Sequence, residues 1–222
     1  MIIFIPLGSI DKEFINAGYK NPKALINIHG KPLIFYLLDN LDLNNDYKII
    51  IAYNHAYSKH NLQERLINNY PSYNFIFYEI NEITYSPCHS IFLCLNNIKL
   101  YDEPILFIDC NCFYETDLIN KWNYNNSVFY FNNDSDSLLY SYINDSNNKI
   151  INIKEKEKIS NKSCTGAYGF KSLITFYNTL KILIGNNNYN IYISDVINKL
   201  ILDKYTFLSI NIKIFDWHYL KT

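Results

Sequence analysis

The sequence predicts an α/β protein built on a parallel, doubly wound sheet with helices on both faces. Three observations carry this reading. Short, continuously apolar segments recur, segments with helical apolar spacing lie between them, and the two kinds alternate at short intervals through the first half of the chain. With 222 residues, one domain spanning 1–222 can bury a sizeable core without disulfide staples.

The elements follow in order. Residues 2–5 form an apolar run closed by Pro6 and Gly8, as expected of a buried parallel strand and its exit loop. Lys31-Pro32 opens a helix over 33–41, whose Leu33, Ile34, Leu37, Leu38 and Leu41 share one face. Residues 47–53 read as a second buried strand, 62–69 as a helix ended before Pro71, and 73–80 as a third strand. A helix over 90–97 follows the Pro87 break, and 104–109 is another buried strand. The second half changes character: a strand at 127–131, a hairpin of 138–144 with 149–154, and a short strand at 167–170. Helices at 173–184 and 193–202 and a strand at 207–215 close the chain. Ligands of such sheets sit outside the carboxyl ends of the strands, so the loops after Ile5 and Ile108 are the first places to look for chemistry.

Composition narrows the partners. A net charge of −1 gives no electrostatic footprint for nucleic acid or an anionic membrane. No apolar run approaches the ~20 residues that span a bilayer, and the first five residues lack the basic flank and cleavage site of a signal peptide. The expectation is a cytoplasmic protein. Its five cysteines, odd in number and without C-x-x-C pairs, read as reduced thiols, not as a disulfide framework or zinc site. The 21 tyrosines, with abundant Asn, Ile and Lys, reflect A/T-rich codon usage, with a tyrosine-lined binding surface as the alternative. Asn186-Asn187-Asn188 reads as loop. The histidines show no metal-ligand spacing.

Three stretches carry chemistry. The first runs Pro6-Leu7-Gly8-Ser9-Ile10-Asp11-Lys12-Glu13, then Ala17-Gly18-Tyr19-Lys20-Asn21-Pro22-Lys23, then Gly30-Lys31-Pro32-Leu33-Ile34. The second is Asp109-Cys110-Asn111-Cys112, at the end of an apolar strand. The third joins Glu155-Lys156-Glu157-Lys158-Ile159-Ser160 to Thr165-Gly166-Ala167-Tyr168-Gly169-Phe170. Taken singly they have plain readings: an exposed loop lysine at Lys23, a strand-end cap at Asp109, and a solvated charge run at 154–158.

Taken together, from Ile2 to Leu220, they resemble the sugar-phosphate nucleotidyltransferases. That family opens with a strand and a glycine-rich loop ending in Arg, then A-G-Y-x-x-P-K-P-L and G-K-P-[ML]-I. It holds a metal at a strand-end G-D or D-x-D and carries E-K-x-x-I-S with T-G-x-Y-x-F. Two weaker echoes are Thr84-Tyr85-Ser86-Pro87, where the family has T-x-G, and Asp216-Trp217-His218-Tyr219, where it has W-G-T-P.

The resemblance implies a three-layer α/β/α fold with a mostly parallel mixed sheet, the Rossmann-like, glycosyltransferase-A-like core. It implies that a nucleotidyl group passes from a nucleoside triphosphate to a sugar phosphate or similar metabolite, releasing pyrophosphate, for nucleotide-sugar or surface-glycan synthesis. Leu7, Gly8, Ser9, Lys12, Lys23, Thr84 and Ser86 would then bind the nucleotide, and Glu155, Lys156 and Gly166 the acceptor. Lys23 and Lys156 would neutralise charge during transfer, and Asp109, Asn111 and Asp216 would hold Mg²⁺.

The chain departs from the family where that chemistry is concentrated. Glu13 stands where the loop arginine belongs, and it would repel a triphosphate, with Lys12 the candidate substitute. Asn111 replaces the metal-binding aspartate and supplies no charge, which leaves Asp109 as the surviving carboxylate. Asp216 reads equally as a surface-turn residue, and Asp195 as a helix N-terminal one. Two alternatives stay open: a weak or inactive relative that binds or regulates, and a glycosyltransferase of the related fold. Homo-oligomerisation is also left open.

Overall fold

The computed structural model describes residues 1–9, 12–99, 101–185 and 188–220; Ile10 and Asp11 of the first motif and Asn186-Asn187 of the expected loop lie outside them. The chain runs β1 (Ile2–Leu7), α1 (Lys12–Asn16), a 3₁₀ turn (Lys23–Leu25), β2 (Asn27–Ile28), β3 (Lys31–Pro32), α2 (Leu33–Asp39), β4 (Lys48–Asn54) and a 3₁₀ stretch (His55–His60). It continues through α3 (Leu62–Asn69), β5 (Asn74–Ile80), α4 (Pro87–Asn97), β6 (Ile105–Ile108), β7 (Cys112–Tyr114), α5 (Leu118–Trp122) and β8 (Ser127–Asn132). The remainder is β9 (Ser141–Ser146), β10 (Lys149–Glu155), β11 (Lys162–Phe170), α6 (Leu173–Ile184), α7 (Ile193–Leu202), β12 (Leu208–Asn211), a 3₁₀ turn (Ile214–Asp216) and β13 (Trp217–Tyr219).

The main sheet has nine described strands in the order β5-β4-β1-β6-β11-β8-β12-β10-β9. Its first four strands are parallel, in register Phe4↔Ile50 and Phe4↔Phe107 around β1. β11 then runs antiparallel to β6 and β8, β12 parallel to β8, and β10 antiparallel to β9 and β12. The sheet is mixed, because the second half is built from a hairpin and returning strands instead of βαβ crossovers. The hairpin turn explains its own sequence: Asn147 and Asn148 both take positive φ, 50° and 60°, which Asn tolerates better than most residues.

Both faces of the sheet are covered, and the alternation along β1 shows how. Ile2 and Phe4 join a core with Ile91 and Leu95 of α4, Phe176 and Leu180 of α6, and Val196 of α7. Ile3, Ile5 and Leu7 join a second core with Leu33 and Leu37 of α2, Leu62 and Leu66 of α3, and Leu118 and Trp122 of α5. Each fully buried side chain of this size contributes roughly 1.5–3 kcal/mol. Two apolar layers therefore hold three layers of structure together, as the continuous apolar runs predicted.

The last segment differs from expectation. The strand expected over 207–215 ends at Asn211, because Ile214 and Phe215 are 55% and 67% exposed and have no core face to fill. The chain turns there, and β13 pairs antiparallel with β7, Trp217 opposite Tyr114 and Tyr219 opposite Cys112. Strand order reverses beside β1: β4 and β5 lie on one side and β6 on the other, so a crevice opens at the carboxyl ends of β1 and β6. No described helix is long and apolar enough to cross a membrane.

Candidate functional site

The first wall of the crevice is made by the exit of β1. Gly8 is buried, and a Cβ there would stand 1.9 Å from Ser90 Oγ and 2.6 Å from Ser90 Cβ, so only glycine lets this loop pass the first turns of α4. Thr84 Oγ1 donates to the Gly8 carbonyl at 3.2 Å and fixes the loop from the other side. Leu7, Gly8, Ser9, Lys23, Thr84 and Ser86 line a cavity of about 190 Å³, together with Asp109 and Asn111. Ser86 is the N-cap of α4: its hydroxyl accepts from the His89 amide at 3.1 Å and donates to the Tyr189 carbonyl at 2.7 Å. That hydroxyl is therefore tied up in holding the helix start, and a ligand would meet it second-hand.

Lys23 enters from the 3₁₀ turn after Pro22 and is only 5% exposed. Its Nζ lies 4.8 Å from the Phe14 ring centre and 4.9 Å from that of Tyr219. The plain reading of Lys23 as an exposed loop lysine is thereby set aside. Lys12 goes the other way. It is an exposed residue of α1 and lines neither cavity of the crevice, because Phe14 carries the buried side of that short helix. Glu13 is exposed beside it, so the repulsion expected of it is not built into the cavity wall.

The second wall begins at the end of β6. Asp109 is half-buried, and its amide donates to the Gly166 carbonyl at 2.9 Å. Gly166 has φ +90°, and a Cβ on it would meet Asp109 Cβ and Oδ2 at 3.0 Å. Burial first, and the negative charge of Glu155 second, push the Asp109 carboxyl up to about 7, while Lys23 pulls it down. Asp109, Asn111, Glu155 and Gly166 line a second cavity of about 190 Å³ with Ser141, Ser194 and several aromatic rings. Ser141 Oγ donates to Glu155 Oε2 in a short contact, and Ser194 Oγ reaches the same oxygen at 3.3 Å. The two cavities share Pro87, Asp109, Asn111 and Tyr192.

Lys156 follows Glu155 with φ +54° and is exposed. Its Nζ lies 5.3 Å from the Tyr192 ring centre, so it stands over a shared lining residue without lining either cavity itself. Asp216, expected among metal ligands, lines neither cavity. In β13 Trp217 and Tyr219 line the second cavity, while His218, on the opposite face, pairs through Nε2 with Glu115 at 2.7 Å. Asp216 precedes that strand, at the end of the 3₁₀ turn, where its carbonyl accepts from the Glu115 amide at 2.8 Å. Among the described residues no group of three or more His, Cys, Asp or Glu side chains is placed to hold a metal ion. Asp109 and Asn111 remain as hard oxygen donors on the wall common to both cavities.

No family model matches the sequence, and no curated protein matches it either. Solved structures do. A nucleoside-diphosphate-sugar pyrophosphorylase from Vibrio cholerae RC9 superposes with a TM-score of 0.85 at 17% identity, over 99% of this chain and 95% of that one. The inositol-1-phosphate CTP transferase from T. maritima gives 0.78 at 13% identity, over 100% and 89%. A UDP-glucose pyrophosphorylase complexed with UDP-glucose gives 0.73 at 15%, over 96% and 90%. This chain has the nucleotidyltransferase fold. The likeness spans nearly the full length of each of these structures, in agreement with the motif resemblance running from one end of the sequence to the other.

Within this nucleotidyltransferase fold, the crevice has one feature that the motifs did not announce, the aromatic lining of its second cavity by Tyr140, Tyr192, Trp217 and Tyr219. The signal was present but diffuse. A tyrosine-lined surface was the alternative to codon bias, yet 21 tyrosines spread over the chain do not say which ones converge. Tyr140 could have been found from the hairpin, because its carbonyl accepts from the Lys156 amide at 3.0 Å, opposite a motif residue. All five cysteines are buried thiols.

Proposed function

We propose that the protein transfers a nucleotidyl group from a nucleoside triphosphate to a phosphorylated small molecule, releasing pyrophosphate. The observation that carries this reading is the pairing of two cavities of equal size across one wall made by Asp109 and Asn111. The cavity under the Gly8 loop would take the triphosphate, with Lys23 neutralising the phosphate that is attacked. The cavity bounded by Glu155 and Gly166 would take the acceptor, and its phosphate would meet the α-phosphorus at the shared wall. Holding both reactants in line supplies most of the rate enhancement, since no protein nucleophile is needed.

Mg²⁺ fits the donors at that wall, because it takes one or two carboxylates together with substrate oxygens. Asp109 and Asn111 would hold it. When bound, it would supply charge neutralisation at the phosphates. A second reading, a nucleotide-binding protein without turnover, is favoured by the neutral Asn111 and by the exposure of Lys12 and Lys156. Pyrophosphate release, measured with each of the four ribonucleoside triphosphates and a panel of phosphorylated acceptors, separates the two. Release with some pair supports transfer. Triphosphate binding by calorimetry without release from any pair supports the binding-protein reading.

A further inference from the structure

The second cavity has a peculiar chemistry for a site that accepts a phosphorylated molecule. Among the described residues its wall contains no lysine, arginine or histidine, and its charged members are Asp109 and Glu155. Five residues of the remaining wall are aromatic: Tyr140, Tyr168, Tyr192, Trp217 and Tyr219. The Tyr140 ring stands 5.8 Å from Trp217 at 70° and 6.2 Å from Tyr219 at 81°, while Trp217 and Tyr219 lie 5.8 Å apart at 30°. Two ring planes thus meet near a right angle and form a corner. Trp217 is anchored on both counts that matter: its ring stacks on Phe131 at 4.4 Å, and Nε1 donates to the Thr165 carbonyl at 3.1 Å. Tyr192 adds a fourth ring at the wall shared with the first cavity.

Aromatic corners with a nearby carboxylate suit one ligand class in particular. Ring faces carry negative electrostatic potential, and a cation that hydrates weakly gains from several of them at once. Two of these rings already stand within reach of ammonium groups, Lys23 Nζ at 4.9 Å from Tyr219 and Lys156 Nζ at 5.3 Å from Tyr192. Glu155, fixed by the hydroxyls of Ser141 and Ser194, supplies a counter-charge inside the same cavity. A neutral sugar would stack on one ring and donate hydroxyls to Glu155 but would not gain from several ring faces at once. A small inorganic cation would lose more by shedding its tightly held water than the rings return. The volume of about 190 Å³ is below the roughly 300–1,000 Å³ of drug-sized sites and suits a compact head group.

We infer that the acceptor cavity takes an alkylammonium head group, so that the acceptor is the phosphate monoester of an amino or quaternary-ammonium alcohol and not a sugar phosphate. The inference rests on the nucleotidyl-transfer reading for the direction of the phosphate, but the cavity can be tested without turnover. In the reaction, an oxygen of the monoester forms a bond to the α-phosphorus and the α–β bridging bond breaks. Its electron pair leaves with pyrophosphate, and no redox partner is needed. The product is a nucleoside diphosphate esterified to the amino alcohol.

The experiment is a titration of the whole chain with choline phosphate, ethanolamine phosphate and glucose 1-phosphate by calorimetry, alongside pyrophosphate release with each triphosphate. Binding of choline phosphate at least tenfold tighter than glucose 1-phosphate is expected. Tyr140→Leu should weaken choline phosphate at least tenfold, and Tyr140→Phe, which keeps the ring, should restore it to within threefold. Glu155→Gln should weaken choline phosphate more than glucose 1-phosphate. Equal binding, or tighter glucose 1-phosphate, overturns the inference even if pyrophosphate is released. Tight choline phosphate binding without release from any pair leaves the inference standing and removes the transfer reading instead.

Discussion

Gly166 and Asp109 are packed so closely that a single methyl group on residue 166 would stand 3.0 Å from the Asp109 carboxylate, and the Asp109 amide is bonded to the Gly166 carbonyl at 2.9 Å. The backbone of β11 thereby sets where the carboxylate at the end of β6 can point. Two demands meet at one position, a left-handed φ of +90° and an absent side chain.

Gly166→Ala should therefore do two separable things. The unfavourable φ should destabilise the protein by about 1–3 kcal/mol, and the displaced Asp109 should impair nucleotidyl transfer beyond that loss. Gly18→Ala is the control, because Gly18 has φ +87° and a methyl group there would meet nothing within 4 Å. It should lose stability without losing specific activity. Urea denaturation and turnover, measured on both variants, check this.

Gly8→Ala should destabilise by about 1–3 kcal/mol through overpacking against Ser90. Ser90 Oγ is buried without a hydrogen-bond partner, so Ser90→Ala alone should be close to neutral, and it should not rescue Gly8→Ala because the Cβ contact at 2.6 Å persists. Ser90→Gly removes both atoms and should reduce the cost of Gly8→Ala. The coupling is read from a double-mutant cycle in urea.

The two lysines should behave differently. Lys23→Met should weaken triphosphate binding by about 10–100-fold, the range for a lost charge-assisted hydrogen bond of about 1.5–3 kcal/mol. Lys156 is exposed, so Lys156→Met should weaken acceptor binding by no more than about 1 kcal/mol. Calorimetric titration of each variant against its own ligand separates the roles. Equal losses would contradict the placement of Lys156 outside the cavities.

Asn111→Asp adds a carboxylate beside Asp109 on the shared wall, where Mg²⁺ is to be held. Turnover of this variant should saturate at lower Mg²⁺ than that of the natural chain. An unchanged Mg²⁺ dependence would remove Asn111 from the metal site.

Stability without ligand should depend on pH through Asp109. Its carboxyl is pushed up to about 7 in the folded protein, chiefly by burial, against an ordinary value near 3.8. The folded state then binds more protons than the unfolded state between those values, so this group's contribution to stability falls as pH rises from about 4 to about 7 and is level above that. Asp109→Asn should raise Tm at pH 8 relative to the natural chain, and the gain should vanish near pH 4. A gain of equal size at both pH values would count against Asp109 as the titrating group.

The sequence by itself determined the three-layer fold. Continuous apolar runs such as 2–5 and 105–108 can only be satisfied by a strand covered on both faces, and the helices at 173–184 and 193–202 were legible from their apolar spacing. It also named Gly8, Lys23, Asp109, Asn111, Glu155 and Gly166, which the structure brings to one crevice, because each lies in a local motif whose spacing survives translation into a strand end or loop. Tertiary structure decided what local pattern cannot encode. Lys12 and Asp216 fall outside the crevice, one on the exposed side of a short helix and the other in the turn before β13, and only the fold says where each ends up. The aromatic corner joins Tyr140 to Trp217 and Tyr219 across more than 70 residues of chain, and it exists because β13 turns back to pair with β7. Contacts so distant in sequence are fixed by the packing of whole elements, and no short-range periodicity reports them.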